Sequence, residues 1–198
     1  AFARLAERGY VKRRRGVGTL VSVAPSIVNP LYQFIDIFER IASRGLTPGF
    51  QQIQASIILA DERSARTLDV PPGSDLLSIQ KLFTADGHPI IYFENYIPRH
   101  IFSQNLTDDE ATQPGLTEPF FTFFREICRH PVEYLASIIR PELSQNLDLE
   151  IDLGKAGETL LVIEDIGYDQ KDSPVFYSLE YLVNEASSLH VIRQVENS

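Results

Sequence analysis

The chain has 198 residues, 43% of them hydrophobic, and its 18 basic and 27 acidic side chains give a formal net charge of −9. That length and composition can bury one sizeable core with a small appendage. A single cysteine excludes an internal disulfide framework, and no apolar run approaches the length that crosses a bilayer. The expectation is a soluble, cytoplasmic protein with no membrane partner.

At the start, Phe2, Leu5 and Ala6 lie on one side of a helix tail that stops at Gly9, a C′ glycine position. Tyr10 and Val11 begin a short strand, four cations follow (Lys12, Arg13, Arg14, Arg15), Gly16-Val17-Gly18 makes a tip, and Thr19-Leu20-Val21 returns as a second strand. A glycine tip lets backbone approach a phosphate chain or narrow groove closely, because no side chain stands in the way. A basic run alone fits a solvated surface hairpin equally well; the ordered set of helix end, glycine stop, basic strand and glycine tip favours nucleic acid. Six of the 18 basic residues and one of the 27 acids fall in residues 1–22, a balance of +5 that leaves −14 for the remainder. DNA is therefore expected to meet the head and not the body.

This stretch resembles the wing of GntR-family transcription regulators, with Leu5, Gly9, Tyr10, Val11, Arg13, Gly16, Gly18, Thr19, Leu20 and Val21 falling in the family's pattern. The resemblance implies that Lys12, Arg13, Arg14, Arg15, Gly16, Gly18 and Thr19 contact operator DNA. It also implies that the base-reading helix belongs upstream of Ala1, so residues 1–24 read as the C-terminal remnant of a winged helix-turn-helix domain. Residues 25–30, bounded by Pro25 and Pro30, read as a linker.

Beyond it, Leu31, Phe34, Ile35, Phe38, Ile41 and Ala42 recur at helical spacing up to a stop at Arg44-Gly45. Ile53, Ala55, Ile57 and Leu59 alternate as on a half-buried strand over residues 50–59. An internal repeat follows, with residues 73–97 matched to residues 157–182. Gly73 aligns with Gly157, Leu76 and Leu77 with Leu160 and Leu161, Ile79 with Ile163, Pro89 with Pro174, Tyr92 with Tyr177, and Tyr96 with Tyr181. Each copy reads as strand, polar turn, strand, and follows a short helical segment, residues 62–68 and 141–149. With strands at 50–59 and 132–140, the prediction is an α+β domain, a mainly antiparallel sheet with packed helices.

Arg44-Gly45-Leu46-Thr47-Pro48-Gly49, Ala85-Asp86-Gly87-His88-Pro89 and Tyr96-Ile97-Pro98, in that order behind such a wing, are similar to the UTRA effector-binding domain of the HutC-type branch of the GntR family. The resemblance covers about residues 31–195. It implies a chorismate-lyase-like fold for residues 31–198, a small-molecule pocket between sheet and helices, and a homodimer. Carried over residue by residue, the effector positions fall on Lys81, Phe83, Phe93, Pro119, Phe176 and Leu182, and Phe120, next to Pro119 on the following helix, is read as a further wall of the pocket. Sugar-phosphate-responsive members have a second arginine where this chain has Phe83 and a glutamate where it has Phe93. Glu94, one residue late, belongs to the opposite strand face.

Phe83, Phe93, Phe176 and Leu182 fit a plain core; they fit equally a cavity for an apolar or aromatic acid whose carboxylate pairs with Lys81. The missing arginine and glutamate argue against a sugar phosphate, whose oxygens would be poorly satisfied. His88, His100, His130 and His190 lack metal-ligand spacing, Cys128 lacks a base placed by sequence, and no phosphate loop or dinucleotide fingerprint occurs, so no metal, cofactor or catalytic residue is expected. Asp108-Asp109-Glu110 reads as a solvated, mobile loop. The expected function is a DNA-binding regulator, a repressor, modulated by a small effector. The alternatives are a chorismate-lyase-like enzyme and a dimerisation module with a vestigial pocket.

Overall fold

Asp86 and Gly87 both take the left-handed backbone conformation, with φ of 50° and 81°. This is the two-residue turn whose twist matches that of paired strands. In the computed structural model, which describes residues 11–14, 18–21, 37–146 and 158–183, that turn joins β4 (Asp75–Ala85) to β5 (His88–Pro98). The second repeat forms β7 (Thr159–Tyr168) and β8 (Pro174–Leu182), joined by a longer turn with Asp172 at φ 59°. Two further strands, β3 (Pro48–Leu59) and β6 (Tyr134–Leu143), complete a six-stranded antiparallel sheet in the order β3-β4-β5-β8-β7-β6. A separate two-stranded sheet near the start pairs β1 (Val11–Arg14) with β2 (Gly18–Val21).

The α+β architecture expected from the repeat is what forms, and the repeat shows why. β5 and β8 pair at the centre, with Tyr92 opposite Tyr181 and Tyr96 opposite Tyr177. The repeat-matched tyrosines therefore cross: Tyr92 stacks on Tyr181 and Tyr96 on Tyr177, each pair with centroids 5.8 Å apart. The sheet is two three-stranded halves related by an approximate two-fold between β5 and β8.

Helices cover both faces. One face packs Leu76, Tyr92, Leu160 and Leu179 under α2 (Glu62–Thr67), through Ala65 and the adjoining Ala60 and Leu68. Asp61 caps α2, its carboxylate accepting the Ser64 amide at 2.7 Å. The other face buries Ile79, Ile97 and Phe176 under α3 (Arg99–Phe102), α4 (Asp108–Ala111) and the segment formed by α5 (Phe120–Thr122) and a π-helical stretch, Phe123–Cys128. The chain divides into two compact units, residues 1–46 with 185–198 and residues 47–184. The first contains α1 (Ile37–Ala42), after which Gly45 turns the backbone at φ 74°.

Three expectations are corrected. Residues 141–143 extend β6 instead of starting a helix; Pro141 is tolerated because β6 is an edge strand, where one ladder donor is dispensable. Residues 147–149 lie outside the described residues. The alternation over residues 50–59 breaks at a bulge between Gln52 and Gln54, so Ile53 joins one face while Ala55 and Ile57 join the other. Leu59 is exposed. Asp108-Asp109-Glu110 is not a loose loop but the first turn of α4, closed by a Thr107–Glu110 capping box and tied to Arg99 at 2.9 Å. The segments 1–10, 22–36 and 184–198, including the linker, lie outside the described residues.

Candidate functional site

Strand alternation sends odd-numbered residues of β4 and β5, and even-numbered ones of β8, to the face under α5. Lys81, Phe83, Phe93, Phe176 and Leu182 all reach that face and all are buried. Phe83 meets Phe93 edge-on, with centroids 5.6 Å apart. Phe120 stands edge-on to Phe176 at 5.0 Å, and Phe124 stacks on the same ring at 5.3 Å. Pro119 is the N-cap of α5. Gly167, opposite Phe176, lies flat against that ring: a Cβ there would sit 2.2 Å from a ring carbon. The sheet floor and helical cover thus close tightly around Phe176.

Lys81 is 2% exposed. Its ammonium donates to Glu118 Oε1 at 2.5 Å and lies 4.3 Å from the centre of the Phe120 ring. Burial holds the Lys81 pKa below its ordinary value, while Glu118 pulls it the other way. The sequence offers Lys81 to a ligand carboxylate; in the structure the chain itself supplies one. Glu118 drew no attention in the sequence because it is 37 residues away, and only the fold brings its segment over β4.

The same face carries a polar row. Asn95 on β5, Ser178 on β8, Asp165 on β7 and Ser137 on β6 stand opposite one another in consecutive strands. The next row places Lys81, Phe93, Glu180 and Ile163 in register. Asn95, Ser178, Asp165 and Glu180 are buried, whereas Ser137 is exposed at the sheet edge. Ser137 donates to Asp165 Oδ1 at 2.5 Å. Burial pushes the Asp165 carboxyl up to about 6, with nearby Glu180 adding to the rise and the Ser137 hydroxyl opposing it. Asp165 had a signal in sequence, since it keeps step with Leu161 and Ile163 on the buried alternation of its strand.

The opposite face holds Glu94, as its position one residue late requires. Tyr181 donates to Glu94 Oε2 at 3.2 Å, and Tyr177 donates to Glu164 Oε1 at 3.0 Å, while Arg63 of α2 donates to the other oxygen, Glu164 Oε2, at 2.9 Å. Cys128 is buried, and burial lifts its thiol to about 12, which removes the thiolate needed of a nucleophile. Among the described residues no group of three or more His, Cys, Asp and Glu is placed to hold a metal ion.

In the N-terminal hairpin, Lys12 pairs with Leu20, Arg13 with Thr19 and Arg14 with Gly18. The cationic strand and its partner are thus a regular antiparallel ladder. Arg15 and Gly16 lie outside the described residues.

Against known proteins, the UTRA domain family matches residues 43–187. The chain belongs to the UTRA domain family. The match takes in all six strands of the large sheet, so both faces described above belong to the UTRA domain. The chain is 22% identical over 179 residues to the HTH-type transcriptional regulator YurK of Bacillus subtilis, covering 90% of this chain and 72% of YurK. The fold is shared with PhnF from Mycobacterium smegmatis (TM-score 0.67, 22% identity, covering 98% of this chain and 82% of PhnF). It is shared also with a GntR-family transcriptional regulator from Enterococcus faecalis V583 (TM-score 0.60, 17% identity, covering 73% of this chain and all of that one). No helix among the described residues is long and apolar enough to cross a membrane.

Proposed function

We propose that the protein is a cytoplasmic, DNA-binding transcription regulator of the GntR family, of the HutC-type branch, acting as a homodimeric repressor whose UTRA domain binds a small effector. The observation that carries this reading is the order of parts: a basic two-stranded hairpin precedes a UTRA domain that fills residues 43–187. The hairpin residues Lys12, Arg13, Arg14, Arg15, Gly16, Gly18 and Thr19 approach the DNA backbone. The effector enters the face under α5, between the polar row of the sheet and the Phe120–Phe176 contact. Lys81, Phe83, Phe93, Pro119, Phe120, Phe176 and Leu182 frame it. An effector that binds one arrangement of the protein better than another shifts the population between arrangements, and so changes operator affinity.

The regulators with which the chain shares sequence and fold favour this reading over catalysis. The test has two arms. A metabolite screen by thermal shift should find a compound that raises the melting temperature by mass action. The same compound should change the affinity of the chain for duplex DNA in fluorescence anisotropy. Turnover of chorismate would overturn the reading in favour of a lyase. An unmoved melting temperature across the whole screen would leave a dimerisation module.

A further inference from the structure

The ammonium that the effector face offers to an acid is held by an acid of the chain. Lys81 donates to Glu118 Oε1 at 2.5 Å, and the Phe120 ring lies 4.3 Å from the same nitrogen. The two side chains differ in depth, that of Lys81 being 3% exposed and that of Glu118 16%. Glu118 therefore reaches from the surface to a buried cation and fills the way to it. The segment that carries Glu118 is attached to the sheet at a second, neighbouring point. The Gly115 amide donates to Gln52 Oε1 at 3.3 Å, and Gln52 is the register partner of Lys81 on the adjoining strand. Thr117 stands between these two anchors in the chain. It is 1% exposed, and its Oγ1 finds no hydrogen-bond partner among the described residues. A buried hydroxyl without a partner forfeits a hydrogen bond that a bound oxygen can restore. A buried cation, a carboxylate drawn in from the surface to neutralise it and an unbonded hydroxyl on the next residue together make an anion site closed by the chain's own anion.

We propose that Glu118 is a built-in competitor of the effector: an organic carboxylate takes its place on Lys81, and the Glu118 side chain swings into solvent. This inference rests on the effector-binding reading above and gives it a ligand class and a release step. The exchange keeps Lys81 paired, so no charge is left buried alone. One ammonium neutralises one negative charge, which selects a monoanion over a phosphate dianion. The organic part of the acid lies against Phe120 and against Phe93, the register partner of Lys81 on β5. Loss of the Lys81–Glu118 bond frees residues 116–118 and the start of α5 from β4, while the Gly115–Gln52 bond holds the other end of the segment. Binding thus loosens the cover. The apparent affinity is the intrinsic one reduced to the fraction of molecules in which Lys81 is free of Glu118.

The probes are phenylacetate, its neutral analogue phenylacetamide, its cationic analogue phenethylamine, and phenyl phosphate, each titrated into the intact chain by calorimetry and thermal shift. Phenylacetate is expected to bind and the other three are not. Glu118→Ala, which removes the competitor, should tighten that binding about tenfold or more; Glu118→Gln, which leaves a weaker acceptor in place, should tighten it less. A merely structural Glu118 would not give a gain of affinity when its side chain is deleted. Lys81→Met should abolish binding. Thr117→Val should keep the melting temperature of the free protein and weaken phenylacetate about threefold or more. In the unmodified protein, amide exchange over residues 116–124 should quicken when phenylacetate is bound. Binding unchanged or weaker in both Glu118 variants, or slower exchange over that segment, would overturn the competitor role and leave the effector reading standing. Binding of phenethylamine, phenylacetamide or phenyl phosphate as tight as that of phenylacetate would overturn the carboxylate assignment. Failure of phenylacetate to bind any of the proteins, Glu118→Ala included, would overturn the proposal, and with no compound active in the wider screen the effector reading would fall with it.

Discussion

At the scale of single residues, the buried charges of the effector face are unequal partners. The Lys81 side chain is 3% exposed, whereas the Glu118 side chain keeps 16% exposure. Removing either partner leaves an unpaired charge, but Glu118 can turn toward solvent and Lys81 cannot. Glu118→Gln is therefore expected to destabilise by about 3 kcal/mol and Lys81→Met by about 1 kcal/mol. The double variant should fall nearer Lys81→Met than the sum, a coupling that urea unfolding of all four proteins measures directly. Equal single costs would mean that Lys81 is reached by water.

Asp165 makes a pH-dependent prediction. Burial raises its pKa from the ordinary 3.8 to about 6 in the folded protein. Between those values the folded state binds more protons than the unfolded one, so stability falls as pH rises from about 4 to 6 and stays lower beyond. The penalty at neutral pH is on the order of 3 kcal/mol. Asp165→Asn removes it, and it keeps an acceptor for Ser137. Relative to the unmodified protein, the variant should gain melting temperature at pH 7.5 and gain little at pH 4. A pH-independent difference between the two would show that Asp165 does not titrate as placed.

At the scale of elements, the sheet is specified by its turns and by paired tyrosines more than by the length of any strand. Asp86 contributes twice. Its left-handed backbone makes half of the β4–β5 turn, and its carboxylate accepts the Thr47 amide at 2.8 Å, which fixes the start of β3 against that turn. Gly87 at φ 81° has open space around it, so a Cβ would meet no neighbour and the cost of Gly87→Ala is purely conformational. That cost is expected to be about 1 kcal/mol, visible as a lower urea midpoint with an unchanged slope. A changed slope would mean that the hairpin itself rearranges. The second copy has no such two-residue turn and uses the Asp169 side chain instead, which accepts the amides of Lys171 and Ser173 at 2.8 and 2.9 Å. Gly157 and Pro174 stand one residue further apart than their counterparts Gly73 and Pro89, and the longer second turn exchanges backbone turn geometry for a side-chain one.

At the scale of the whole molecule, a basic head precedes an acidic body. If the head binds DNA through phosphates, affinity must fall with salt. Four hairpin cations contacting about two to four phosphates per protomer give a log–log salt slope of roughly −2 to −4 for each protomer engaged. Replacing Lys12, Arg13, Arg14 and Arg15 together with Ala should flatten that slope and weaken binding alike for operator and scrambled duplexes, because phosphate contacts carry no sequence information. Fluorescence anisotropy at several salt concentrations reads both quantities. A strong sequence preference that disappears with the four cations would show instead that the hairpin reads bases.

Much of this molecule was legible before any coordinates. The repeat, its turns and the basic hairpin are local patterns, written in residues a few positions apart, and the sheet core and the assignment of Phe83, Phe93, Phe176 and Leu182 to one face follow from two-residue alternation. Local pattern failed where a neighbouring strand or an edge decided the outcome. The bulge at Gln52/Gln54 reset the alternation of β3, and the edge position of β6 let Pro141 stay in a strand. The chemistry of the face was decided only by tertiary structure. Which carboxylate meets Lys81 depends on a segment 37 residues away, and the row from Asn95 to Ser137 exists only because four strands align in one register. Sequence fixes the side chain of each residue and the direction it points along its own strand. The partner that neutralises a buried charge, or leaves it for a ligand, is set by packing between strands distant in the chain.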